Sequence, residues 1–221
     1  MSGGDFMDMN KIFSKVFLWM FIGLAITFGV AYYVSTNEIM VYNLFSGSKY
    51  IIFWVIELVV VLVLSLRIRK LNPLTAKILF LVYSGLTGLT LSSIFILYDI
   101  MSIVYTFAIT SGLFLGFGLI GYFTKLDLTK LGIYLVMALF GIIIASIINI
   151  FVGSEVFDLG LCIIAIIIFL AYIAYDIQLI KKNMYGIENE DSLVIYGAFQ
   201  LYLDFINLFI RLLRFFGKSK D

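Results

Sequence analysis

Apolar residues run along this chain in long unbroken stretches, and the polar residues gather in short gaps between them. Runs long enough to cross a bilayer as a helix, about 17–25 residues, fall at about 16–36, 51–68, 78–98, 100–123, 131–152, 159–182 and 192–216. A membrane barrel needs alternation with period two, and runs such as Ile163-Ile-Ala-Ile-Ile-Ile-Phe169 do not alternate. The one proline, Pro73, lies between the second and third runs, and no polar stretch is long enough for a separate soluble domain. The pattern predicts an all-α polytopic membrane protein, a single transmembrane domain over residues 1–221 built as a seven-helix bundle.

Composition agrees. Apolar residues make up 63% of the chain and charged ones 13%, against about 45–50% and 25% in soluble domains; mean hydropathy is +1.12. A net charge of +1 gives no sign of a nucleic-acid partner. There is no histidine, and the one cysteine, Cys162, sits in an apolar run, which excludes zinc sites, disulfides and Ser-His or Cys-His catalysis. No cofactor is expected. Met1 to Asn10 carries two acids and no basic segment, so it does not read as a cleaved signal peptide, and the first apolar run is expected to act as its own insertion signal.

Basic residues set the expected orientation. Lys11 and Lys15, then Arg67, Arg69, Lys70 and Lys77, then Lys125 and Lys130, then Lys181 and Lys182 all fall on one side. The opposite loops hold Lys49 with the acids Glu38, Asp99, Glu155 and Asp158. The N-terminus is therefore expected in the cytoplasm. Seven crossings would place Arg211, Arg214, Lys218 and Lys220 outside, against the rule. Either the last helix is enclosed by the others, or it re-enters without crossing.

Small residues mark expected close approaches between helices: Gly112, Gly116 and Gly121 with Ser111 and Gly118, and Gly85 and Gly88 with neighbouring Ser and Thr. Trp19, Tyr50, Trp54, Tyr98 and Tyr122 read as interface anchors.

Two aspartates, Asp176 and Asp204, lie inside the last two runs. A charge at membrane depth costs about 2.5–3.5 kcal/mol on insertion scales, so such residues face a partner or a watery cavity. A turn near Gly186–Asp191, with Gly186 as a left-handed cap and Asp191 or Ser192 capping the next helix, puts both aspartates roughly 15–18 Å from it. Matched depth makes contact easy. Gln200, Asp204, Asn207, Arg211 and Arg214 step by four, three, four and three along one helical face. That polar stripe favours a central place for the last helix. Glu57 and Arg67 are further ionisable residues, both in the second run. Two carboxyl groups in contact tend to share a proton and titrate as a unit. Once deprotonated, the pair needs a guanidinium such as Arg67 or a cation beside it, and oxygen ligands favour hard ions such as Ca²⁺. The physics suggests a pH-responsive cation site; the bland alternative is a hydrogen-bonded pair that only holds two helices together.

At these residues the chain resembles the Bax inhibitor-1 family in its bacterial form. The most specific stretches are Ala174-Tyr-Asp176-Ile-Gln178 and Leu201-Tyr-Leu-Asp204-Phe-Ile-Asn-Leu-Phe209 followed by Arg211-Leu-Leu-Arg214. Glu57 to Arg67, Lys70-Leu-Asn-Pro73 and the run from Leu81 to Ile94 fit as well. The resemblance implies a place in a bacterial inner membrane, seven helices with the last one central, and a pH-sensitive leak of calcium ions as cargo. It makes Asp176 and Asp204 the proton-sensing dyad; the same two carboxylates are the candidate Ca²⁺ ligands. It makes Arg67 the basic latch, with Arg69 as the alternative. Glu57, and on the stripe Asn207 and Gln200, are weaker candidates for the ion path.

Two rival readings stand beside it. Intramembrane aspartyl proteases also place aspartates on neighbouring helices, but here Tyr202-Leu203 precede Asp204 where a glycine-x-glycine would be needed. An enzyme is therefore not expected. The other rival is a non-conducting regulator that binds another membrane protein within the bilayer.

Overall fold

A computed structural model describes residues 3–47, 49–183 and 190–220, with side chains for all of these but residues 3–8, 50 and 69. The described residues form eight α-helices: α1 (Gly3–Ser35), α2 (Glu38–Phe45), α3 (Lys49–Arg67), α4 (Pro73–Leu97), α5 (Ile100–Phe123), α6 (Leu131–Val152), α7 (Glu155–Asn183) and α8 (Glu190–Phe216). Six of them are long and apolar enough to cross a membrane: α1 from Met9, α4, α5, α6, α7 and α8. The second expected span corresponds to α3, whose 19 residues stand outside that set.

Local chemistry sets the helix ends. The Asn72 side chain accepts a hydrogen bond from the Leu74 amide at 2.9 Å, and Pro73 occupies the first helical position, where its missing N–H costs nothing. Asn37 caps α2 in the same way, accepting from the Met40 amide. This short helix lies where a plain loop was expected, since eight residues carry too little periodicity to announce themselves. α6 ends at Gly153, whose φ of +67° is the left-handed conformation that glycine adopts without strain. One expectation is corrected: α8 already begins at Glu190, so Asp191 and Ser192 lie inside its first turn instead of capping it. The expected cap at Gly186 falls outside the described residues.

The chain divides into two compact units. The first comprises α1 to α4, α8 as far as Tyr202, and the chain end from Ser219. α1 packs against α4, and glycines set how closely. A Cβ on Gly88 would lie 2.7 Å from the Thr27 carbonyl oxygen, and one on Gly23 would lie 2.5 Å from the Phe80 ring. Phe80, Tyr83, Phe199 and Tyr202 form a group of edge-to-face rings. Among them sits a neutral polar chain. Thr27 Oγ1 donates to the Ser84 carbonyl at 2.9 Å, which leaves the Tyr202 hydroxyl to donate to Thr27 at 2.6 Å. At the helix ends Lys15 pairs with Glu190 and Lys77 with Asp191, and the Lys77 ammonium lies over the Trp19 ring.

The second unit comprises α5, α6, α7 and α8 from Leu203. α7 packs on both α5 and α6. A Cβ on Gly121 would collide with the Ala174 backbone, and one on Gly132 with the Tyr175 hydroxyl. Phe107 and Phe114 pack their rings on Phe205. The glycine expectation divides here. Gly88 and Gly121 are close approaches and Gly118 makes an ordinary contact, whereas a Cβ on Gly85, Gly112 or Gly116 would meet nothing within 4 Å. A small residue permits close packing but does not say which face of its helix is covered.

Candidate functional site: a buried acid pair

α7 and α8 carry the two expected aspartates, and the second unit brings them together. Asp176 is 2% exposed and Asp204 is 5% exposed. Their side chains hydrogen-bond to each other. Ionised carboxylates offer only acceptors, so that bond requires a proton held between them. The other oxygen of Asp204, Oδ2, is buried and has no hydrogen-bond partner among the described residues. An unpaired buried oxygen is costly and marks a place where a proton, a water or a cation would be welcome. Tyr172, one helical turn before Asp176, is close enough to interact electrostatically with both carboxyl groups. Its spacing of four residues was the available signal, and sequence reasoning passed over it.

The motif around Asp176 is also a structural clamp. The Gln178 side chain accepts from the Leu128 amide and donates to the Leu126 carbonyl, both at 2.8 Å. Lys181 donates to the Tyr122 carbonyl at 2.9 Å and stacks over that residue's ring. Lys182 binds Asp127 and Thr129. The α5–α6 connection is thereby tied to α7 just beyond the acid. Asp127 lies in that connection, and its hydrogen bond to Lys182 holds its carboxyl below the usual range.

The remaining candidates are placed as follows. Asn207 is half-buried one turn after Asp204, donating to the Leu203 carbonyl of its own helix. Arg211 and Arg214 continue the stripe, and Arg214 pairs with Asp158. Arg67, Glu57 and Gln200 belong to the first unit. Arg67 ends α3 with an exposed side chain and no ion pair among the described residues. Glu57 is half-buried in α3 and acts electrostatically on Tyr83 and Tyr202. Gln200 is half-buried on α8, and the side chain of Arg69 lies outside those described.

Six apolar helices and a buried pair of acids define the class: a multi-pass helical membrane protein with an ionisable site inside the spanning helices. The sequence pattern of the family described as "Inhibitor of apoptosis-promoting Bax1" matches residues 9–221. The chain belongs to this Bax inhibitor-1 family. It is similar to an uncharacterized protein of Borreliella burgdorferi, 43% identical over 96% of this chain and 94% of that one. It is likewise similar to the inner membrane protein YbhL of Escherichia coli, 42% identical over 96% and 93%. An uncharacterized membrane protein of Streptococcus pyogenes is 35% identical over 96% and 94%.

Proposed function

We propose that the protein is a pH-sensitive calcium leak, switched by the proton that Asp176 and Asp204 share. The observation that carries this reading is the buried contact between the two carboxyl groups, with Oδ2 of Asp204 left unpaired. Losing the shared proton leaves two negative charges side by side in a low-dielectric interior, and the arrangement must then recruit a cation or separate. Among the described residues no third His, Cys, Asp or Glu joins the pair in a metal-binding group. Calcium prefers six to eight oxygen ligands, so two carboxylates suit an ion in transit better than one retained. The leak needs no cofactor and makes no use of enzymatic chemistry. On this reading Arg67 serves as the basic latch, and Glu57, Gln200 and Asn207 contribute polar steps to the path. The fold that goes with this reading has α3 as a seventh crossing, α8 at the centre and a cytoplasmic N-terminus in the inner membrane. In support, 78% of the apolar window of α8 is buried, against 11% for α6.

The test is calcium flux into liposomes holding the purified protein alone, followed across neutral pH beside Asp176→Asn and Asp204→Asn. A pH-dependent flux that both substitutions flatten supports the reading. No flux above empty liposomes from folded protein assigns the chain instead to a non-conducting regulator bound to another membrane protein.

A further inference from the structure

A second polar feature lies away from the acid pair, at the end of the second unit where α6 turns into α7. It is an open cleft of about 600 Å³, with Asn149, Glu155, Asp158, Arg211 and Arg214 among its lining. Both helices are membrane spans that stop here, α6 at Val152 and α7 at Glu155, which places the cleft at the boundary between hydrocarbon and water. Its charges are unevenly matched. Arg214 is paired with Asp158. Arg211 is half-buried and has no ion pair or side-chain hydrogen bond among the described residues. Glu155 is exposed and likewise has no ion-pair partner among them. The polar amide of Asn149 is already spent on the turn, accepting from the Ser154 amide and donating to its carbonyl. One cation and one anion are thus left over in the same cleft. Its apolar lining is open to the outside as well, with Ile150 78% and Leu159 47% exposed.

We propose that this cleft binds the headgroup of a zwitterionic phospholipid bearing a primary amine, with Arg211 on the phosphate and Glu155 on the ammonium. A guanidinium offers paired donors that match phosphate oxygens. A primary ammonium donates to a carboxylate, which a trimethylated one cannot do. A purely anionic headgroup would satisfy Arg211 but meet Glu155 with like charge. The exposed apolar lining then takes the acyl chains, which a water-soluble ligand would leave bare. The assignment is independent of the leak reading.

The test uses the full-length protein in detergent, with native mass spectrometry of lipid retention. Phosphatidylethanolamine, phosphatidylcholine and phosphatidylglycerol of the same acyl chains are the probes. The expected result is retention of phosphatidylethanolamine about tenfold above the other two, since one charge-assisted contact is worth roughly that factor. Arg211→Gln should abolish that retention, and Glu155→Gln should remove the discrimination against the other two headgroups. Glu155 is exposed, so its variant decides the matter even where Arg211→Gln does not fold. Equal retention of all three lipids, or a preference that both variants leave unchanged, overturns the assignment. Competition by soluble phosphoethanolamine as strong as by the lipid overturns a lipid as the occupant.

Discussion

Two buried polar clusters differ in one respect that decides what each is able to do. In the first unit Tyr202, Thr27 and the Ser84 carbonyl form a neutral chain in which each hydroxyl hydrogen has an acceptor. In the second, two residues further along α8, Asp204 meets Asp176 with a bond that depends on a proton and with one oxygen unpaired. The first cluster is neutral and its hydrogen bonds are complete without any carboxyl proton, so its role is to fix α8 against α1. The second has at least two states of different charge. Burial alone does not mark a candidate functional site; a buried group whose bonding changes with its proton does.

The largest effect that would sharpen this comparison is steric. Gly121→Leu should abolish folded protein, because the new side chain meets the Ala174 backbone, and its cost should reach or pass the usual 1–3 kcal/mol or so of overpacking. Gly112→Leu, into open space, should express as folded protein. Yield of monodisperse protein in detergent distinguishes the two.

Next comes Asp204→Asn, which should fold yet lose the pH dependence of calcium flux; a retained wild-type profile would reduce the acid pair to a second structural cluster. If Arg67 is the latch of the proposed leak, Arg67→Ala should raise basal flux at neutral pH, as a liposome assay would record. Tyr202→Phe should cost about 0.6 kcal/mol and at most about 1.7, the mean and the maximum for hydrogen bonds between membrane helices, and leave the pH profile unaltered. A Tyr202→Phe variant with a shifted profile would break the distinction between the clusters.

The smallest effect concerns Asp127. Its carboxyl is held below the usual range by Lys182, so its contribution to stability is complete above that range and fades as the pH falls through the lowered value. Asp127→Asn should therefore change thermal stability slightly at neutral pH and not at all in strong acid. As an exposed pair it should weaken further with added salt.

Much of this was legible in the sequence. Hydropathy located α5 and α6 to the residue, because long apolar runs have only one stable form in lipid. The acids were legible for the complementary reason: charged groups do not sit at that depth without a partner. What stayed hidden depended on facing. Gly112, Gly116 and Gly121 read alike, yet only Gly121 lies against a backbone. Gln178 belonged to a recognisable motif, but its role in holding the α5–α6 connection needs a partner 50 residues away. Arg211 read as one more step in a polar stripe, and its place in a cleft comes from the turn at Gly153.

If Asp176 and Asp204 share one exchangeable proton, infrared difference titration of the reconstituted protein should show it. The expected result is a carboxylic-acid carbonyl band that titrates as a single unit and is lost or displaced in both Asp176→Asn and Asp204→Asn. A band that survives either substitution unchanged, or no titrating band in the wild type, would contradict it.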